Sequence, residues 1–137
     1  MPIRAMPVLV VEDNASDVGV IREAIAESAI ECALTVCSRG DQGLAALAAH
    51  DFELVFLDLM LPVVNGFDFL KSARSSPHSA GVPIAAMSGG DAEWLARARE
   101  CGATYTLQKP SDLDEYIEAL IRIVRSAREN RTNDSQG

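Results

Sequence analysis

The sequence predicts an α/β protein with a doubly wound parallel sheet of five strands. Short apolar runs alternate along the chain with longer segments of helical periodicity, and no internal repeat interrupts this order. Parallel strands require crossover connections, and right-handed crossovers place the helices on both faces of the sheet. The 137 residues suffice for one domain and are too few for the larger α/β enzyme scaffolds, which need about 250 residues.

The predicted strands are apolar runs that stop abruptly at polar or turn residues, as strands buried on both faces do. The most apolar run, 54–57, ends directly at Asp58. The five predicted strands are 7–11, 32–37, 54–57, 82–87 and 105–108.

Each predicted strand is followed by a predicted helix. Asn14 or Ser16 can cap the first helix, and Gly102 is placed to end the fourth in a left-handed conformation. The first helix ends near Ser28, and the others cover 42–50, 67–75, 91–101 and about 112–128. The last helix has a wide apolar stripe formed by Leu113, Tyr116, Ile117, Leu120, Ile121 and Val124. We expect a folded domain over 1–129 and a disordered polar tail over 130–137.

Composition excludes several classes of protein. Twelve Lys and Arg against twenty Asp and Glu give a formal charge of −8, the wrong sign for direct binding to nucleic acid. Three cysteines without zinc-ligand spacing are typical of buried thiols in a reducing compartment. No run of 18 apolar residues could span a membrane. These features predict a cytoplasmic protein.

Polar residues stand where four of the predicted strands end: Glu12 and Asp13 after the first, Asp58 after the third, Ser88 after the fourth and Lys109 after the fifth. In open parallel sheets, ligands bind at these carboxyl ends. Two carboxylates about 4 Å apart repel by roughly 4 kcal/mol at an effective dielectric near 20, so a cleft shared by several acids favours a bound cation, best Mg²⁺. A carboxylate nucleophile, a metal and a lysine together indicate phosphoryl transfer.

Four motifs in chain order resemble the receiver domain of bacterial two-component response regulators, in particular free-standing receivers such as the chemotaxis regulators. The resemblance covers about residues 6–127 and implies a flavodoxin-like (βα)₅ fold with strand order 2-1-3-4-5. The motifs are Val-Glu-Asp-Asn (11–14), Leu-Asp-Leu-Met-Leu-Pro-x-x-x-Gly (57–66), Met-Ser-Gly (87–89) and Gly-Ala-x-x-x-x-x-Lys-Pro (102–110).

The resemblance also implies a site chemistry. Asp58 would accept a phosphoryl group from a phosphohistidine of a sensor histidine kinase or histidine phosphotransfer protein. Lys109 and Ser88 would contact the phosphoryl oxygens. The Mg²⁺ ligands would be Glu12, Asp13, Asp58 and the main-chain carbonyl of Met60. The protein would be a phosphoacceptor with weak self-dephosphorylation rather than an enzyme, a monomer or weak homodimer, acting on an unknown downstream protein without an attached output domain.

Two departures from the family pattern bear on the switch. Receivers usually place an aromatic residue three positions before the lysine, where this chain has Thr106, with Tyr105 beside it. Gly89 replaces the alanine that usually follows the hydroxyl residue. We therefore expect activation by movement of the loop and the following helix more than by a ring flip.

The predicted partner surface is the last strand with its flanking helices. There Tyr116 and Ile123 would edge the apolar stripe, although core packing explains these residues equally well. Positive charge would come from Arg97, Arg99, Arg122 and Arg125.

Other functions fit the residues less well. A serine hydrolase built on Ser88 needs its histidine later in the chain, whereas His50 and His78 both precede it. A carboxylate-nucleophile phosphatase stays open, although Met60 stands where its second acid would be. A receiver fold that works without phosphorylation would be expected to lack the acceptor aspartate or the lysine, and this chain has both. Nucleotide binding is not supported, because the sequence contains no phosphate-binding glycine motif.

Overall fold

Five strands and five helices alternate in the computed structural model, which describes residues 4–136. The strands are β1 (Met6–Val11), β2 (Cys32–Cys37), β3 (Leu54–Asp58), β4 (Ile84–Ser88) and β5 (Tyr105–Gln108). The helices are α1 (Ala15–Ser28), α2 (Gly40–Ala49), α3 (Gly66–Ser75), α4 (Ala92–Glu100) and α5 (Leu113–Gln136). All strand pairs are parallel, in the order β2-β1-β3-β4-β5. The predicted fold class and the implied strand order are confirmed.

The strand register brings the polar strand ends to one edge of the sheet. Val11 pairs with Leu57, so the residues that follow these two positions emerge side by side. Asp58 pairs with Met87, and Ser88 pairs with Gln108. Strand order reverses between β1 and β3, which is where open α/β sheets form their ligand-binding crevice.

The sheet separates two hydrophobic cores, because side chains alternate between its faces. Val8 and Val10 of β1 pack against α1 and α5, whereas Leu9 and Val11 pack against the side that carries α2, α3 and α4. The central strands are therefore buried on both faces, which explains their continuous apolar runs.

Most element boundaries fall within two residues of prediction, and local features explain where the elements begin and end. Asn14, not Ser16, caps α1: its side-chain oxygen accepts a hydrogen bond from the Asp17 amide at 3.1 Å. β4 begins at Ile84 rather than at residue 82, since Pro83 has no amide hydrogen for the ladder. Gly102 has a φ of +109°, as its predicted place after the fourth helix requires.

The last helix differs most from its prediction. It continues to Gln136 instead of ending near Arg128, because residues 111–136 contain neither glycine nor proline. Helical backbone thus covers 130–136, where we predicted a disordered tail, and Gly137 lies outside the described residues. Leu113, predicted in the core stripe, is 58% exposed, because it is the first residue of the helix.

Among the described helices, none combines the length and the apolar character needed to cross a bilayer.

We expect Gly66→Ala to lower the free energy of unfolding by about 3 kcal/mol. A Cβ at this position would lie 2.5 Å from the Leu59 Cα, which is backbone and cannot turn aside. Gly19 lies on the open side of α1, where a Cβ would have no atom within 4 Å. Gly19→Ala is therefore the matched control and should stabilise the protein by about 0.5–1 kcal/mol. Urea unfolding of the two variants tests this contrast, and equal shifts of both midpoints would contradict it.

Candidate functional site

Three carboxylates converge at the edge where β1 and β3 end. One oxygen each from Glu12, Asp13 and Asp58 lies within 4.8 Å of the other two. The Glu12 and Asp58 side chains are buried, whereas Asp13 is exposed. The structure therefore brings together the three acids that the strand ends predicted.

The crowding of these acids has an electrostatic consequence. Burial, together with the neighbouring Asp58 carboxylate, raises the pKa of Glu12 to about 8, and the Lys109 ammonium offsets this rise only in part. Oxygen ligands in an acidic cluster of this kind are suited to a hard divalent cation, which would offset the repulsion. The donor set therefore fits Mg²⁺.

Lys109 supplies positive charge at the same cleft. Its Nζ lies 3.1 Å from Glu12 Oε2 and 3.7 Å from Asp58 Oδ2. The β4–β5 pairing positions this residue, because its backbone amide donates to the Ser88 carbonyl at 2.8 Å. The nearby acids raise the pKa of Lys109 despite the opposing effect of its burial. The lysine is therefore charged at neutral pH, and its ammonium faces Oδ2 of Asp58.

The other oxygen of Asp58 is held by the chain itself. The Met60 amide donates to Asp58 Oδ1 at 3.0 Å, which fixes the carboxylate and places the Met60 peptide beside the cluster. The Met60 side chain is exposed and points away from the core. Asp58 thus presents Oδ2 toward Lys109 while Oδ1 is engaged.

Ser88 lies buried at the end of β4, and its Oγ accepts a hydrogen bond from the Gly90 amide at 3.2 Å. Nothing lies within 4 Å of the positions where side chains would begin at Gly89 and Gly90. The Gly90 carbonyl accepts from Gln108 Nε2 at 2.7 Å, which ties the loop to β5. This loop has open space around it and a direct link to the neighbouring strand.

Sequence analysis did not assign Asp17 or Tyr116 to the site. Asp17 Oδ2 lies 2.8 Å from Lys109 Nζ, and Asp17 Oδ1 accepts a hydrogen bond from the Tyr116 hydroxyl at 3.0 Å. Burial and the adjacent Asp17 raise the pKa of Tyr116 well above its usual range, so the hydroxyl keeps its proton and donates. An acid in the first turn of a helix is ordinarily explained by the helix dipole, which is why the sequence did not single out Asp17.

A cleft of about 460 Å³ opens beside Asp13, and its lining includes Phe67, Trp94 and Arg97. The Trp94 ring meets the Phe67 ring edge-on at 5.8 Å, and the Arg97 guanidinium lies 4.2 Å above the Phe67 ring. Trp94 also lines a second cleft of about 410 Å³ that contains Ser88. The helix after the serine loop therefore borders the site through Trp94.

The predicted partner surface needs correction. Tyr116 and Ile123 are buried between α5 and the sheet, because that face of the helix packs on α1 and β-strand side chains. Arg97 is exposed, as predicted, and its guanidinium also lies over the Phe67 ring beside the cleft. Arg99, Arg122 and Arg125 are likewise exposed.

Tyr105 is not placed to substitute for the missing aromatic residue. It packs with the α1–α5 core, on the face opposite to Leu57 and Trp94, and its hydroxyl accepts from Asn130 Nδ2 at 3.2 Å. Thr106 is the next residue of the strand and thus points to the other face.

The sequence profile of the response regulator receiver domain matches residues 8–121. The chain belongs to this family. Receiver domains are phosphoacceptor proteins of two-component signalling that histidine kinases phosphorylate, and they are not enzymes in the ordinary sense. The family resemblance predicted from the motifs is confirmed.

Curated relatives and solved structures are similar to this receiver. The transcriptional regulatory protein PcoR of Escherichia coli is 27% identical over 122 residues, which are 88% of this chain and 52% of that protein. The chain therefore spans about half the length of that relative. The Probable chemotaxis protein CheY of Rhizobium etli is 25% identical over 82% of this chain and 88% of its own length.

Among solved structures, a response regulator from Hahella chejuensis superimposes with a TM-score of 0.83 at 25% identity, covering 90% of this chain and 95% of the other. The phosphorylated cyanobacterial phytochrome response regulator RcpA gives a TM-score of 0.81 at 23% identity, covering 88% of this chain and 91% of the other. The second likeness shows the fold alone.

Proposed function

We propose that this receiver accepts a phosphoryl group on Asp58 from a phosphohistidine of a sensor histidine kinase or histidine phosphotransfer protein, in a reaction that depends on Mg²⁺. The observation that carries the proposal is the convergence of three carboxylates within 4.8 Å, with the Lys109 ammonium facing the acceptor. The metal ligands would be Glu12, Asp13, Asp58 and the Met60 carbonyl.

Each residue at the site would have its own role in the transfer of the phosphoryl group. Asp58 Oδ2 attacks phosphorus, and the phosphorus–nitrogen bond of the donor breaks with its electron pair leaving on the imidazole nitrogen. Mg²⁺, when bound, supplies charge neutralisation for the transferring oxygens. Lys109 neutralises the same oxygens from the β5 side, and the Met60 amide holds Asp58 Oδ1 throughout.

Ser88 supports the switch that follows. A phosphoryl group adds roughly −1.5 to −2 charges and strong acceptor oxygens to the cleft. The Ser88 hydroxyl can exchange its hydrogen bond from Gly90 for one that it donates to a phosphoryl oxygen. Movement of this loop would reach Trp94 on α4, which lines the same cleft. The output surface would therefore include α4.

The type of regulator is a further part of the proposal. In this proposal the protein is a free-standing receiver that binds a downstream protein, passes its phosphoryl group on or drains a kinase. Its cytoplasmic location and its state as a monomer or weak homodimer stay predictions.

Incubation with phosphoramidate and Mg²⁺, followed by intact-mass spectrometry, tests the proposed function. We expect one phosphoryl group per chain, in a linkage that is stable to acid and labile to base. The carboxylate-nucleophile phosphatase predicts many turnovers of a small phosphoester without accumulation of a labelled protein. Such turnover, or the absence of any label, would contradict the proposal.

The effect of Mg²⁺ on the free energy of unfolding tests metal binding separately. We expect Mg²⁺ at about 100 times its Kd to stabilise the wild type by about 2.7 kcal/mol, because it binds the folded state alone. Asp13→Asn should lose most of this stabilisation, because it removes one carboxylate of the cluster. Asp13 is exposed, so its replacement leaves the core intact. Asp114→Asn, at an exposed position of α5, is the control. Equal stabilisation of all three proteins in urea unfolding would contradict a site at Asp13.

A further inference from the structure

Lys109 is held closer to Asp17 than to the proposed acceptor. Its Nζ lies 2.8 Å from Asp17 Oδ2 and 3.7 Å from Asp58 Oδ2. The Lys109 and Asp17 side chains are 14% and 19% exposed, so water screens this ion pair weakly. Asp17 therefore competes with Asp58 for the ammonium.

The second oxygen of Asp17 is bound to the last helix. The Tyr116 hydroxyl donates to Asp17 Oδ1 at 3.0 Å, while Oδ2 holds the lysine. Tyr116 is buried and cannot move without its helix, because Leu120 and Val124 on the next turns pack in the same core as Ile21 of α1. Asp17 thus bridges the phosphoryl-binding lysine and α5.

A role confined to the helix N-terminus does not account for this arrangement. An acid in the first turn interacts with the helix dipole from an exposed position. Here the carboxylate is turned inward, and each oxygen has its own partner from a segment more than 90 residues away, Lys109 and Tyr116.

We propose that Asp17 is a positioning residue that restrains Lys109 in the unphosphorylated protein and transmits the movement of the lysine to α5 through Tyr116. This inference rests on the proposed function of Asp58. A phosphoryl group on Asp58 brings about two negative charges, which draw the ammonium away from Asp17. The Asp17 carboxylate then loses its cation, and its hydrogen bond with Tyr116 changes.

The first test is the rate of phosphorylation by phosphoramidate with Mg²⁺. Asp17→Asn keeps the shape of the side chain and removes the charge that restrains Lys109, so we expect phosphorylation about threefold faster or more. Glu23→Gln, which removes an exposed acid from the same helix, is the matched control and should leave the rate unchanged. An unchanged or slower rate in Asp17→Asn would overturn the proposal.

The second test follows the tyrosines, of which the chain has two. With ¹³C at the ring carbon that bears the hydroxyl, Tyr116→Phe assigns the NMR signals. Phosphorylation should shift the Tyr116 signal much more than that of Tyr105, whose hydroxyl is bonded to Asn130. In Asp17→Asn the Tyr116 response should be lost although phosphorylation persists.

The outcomes separate this inference from the proposed function. A wild-type protein that is phosphorylated while its Tyr116 signal stays in place would overturn the link to α5 and leave Asp58 as the acceptor. A wild-type protein that takes up no phosphoryl group would overturn both.

Discussion

Asp58→Asn is expected to abolish phosphoryl uptake from phosphoramidate, with a fall in rate on the order of 10³-fold or more. The amide cannot act as a nucleophile toward phosphorus, and it removes one of the carboxylates that face the proposed metal. The fold should persist, because asparagine has the same shape and can still accept the Met60 hydrogen bond. Intact-mass spectrometry after a timed incubation measures the loss.

The matched control for that variant is Asp51→Asn. Asp51 lies in the exposed turn before β3 and pairs with His78, away from the acid cluster. This protein should take up one phosphoryl group as the wild type does. Label on Asp58→Asn at the wild-type level would show that another residue is the acceptor.

Lys109→Met should lower the rate of phosphoryl transfer and, in the absence of Mg²⁺, the free energy of unfolding. Loss of a charged group that contacts the transferring oxygens lowers the rate by about 100-fold. Without Mg²⁺, the acids at Glu12, Asp17 and Asp58 lose the ammonium between them, which costs about 2 kcal/mol. The cost is below that of a fully buried pair because the Lys109 and Asp17 side chains are 14% and 19% exposed.

Timed phosphorylation and urea unfolding test the two effects of this substitution. Lys71→Met removes a lysine from an exposed position of α3 and should change neither the rate nor the midpoint. We expect saturating Mg²⁺ to restore most of the stability of Lys109→Met but not its rate. A rate within twofold of wild type would remove Lys109 from the proposed chemistry.

The position of the site could be predicted from the sequence because apolar runs and their polar ends are local features. Each central strand is buried along its length, so its first polar residue marks the edge of the sheet. In a parallel sheet with β1 beside β3, strand pairing alone predicts that Glu12, Asp13 and Asp58 lie together. Side-chain packing is not needed for that prediction.

The packing of α5 could not be predicted in the same way. Its apolar residues occupy more than one face of the helix, so periodicity alone does not decide which of them meets the sheet. The apolar stripe predicts Leu113 in the core, but this residue is exposed; it predicts Ile123 at the edge, but this residue is buried. Tertiary contact with α1 decides the face.

The contacts of Asp17 were beyond sequence reasoning for a different reason. Its partner Lys109 is 92 residues away in the chain, and nothing local distinguishes an inward acid from a solvated one in the first turn of a helix. The ring contacts of Trp94 and Phe67 likewise join α4 to α3, which are separated in sequence by β4.

Diffraction from crystals soaked in Mn²⁺, which gives an anomalous signal and accepts the same oxygen ligands as Mg²⁺, shows whether the three carboxylates bind a metal. We expect one strong peak bound by the carboxylates of Glu12, Asp13 and Asp58 and by the Met60 carbonyl, with Asp58 Oδ2 still open toward Lys109. No peak at saturating metal, or a peak away from these side chains, would contradict this expectation.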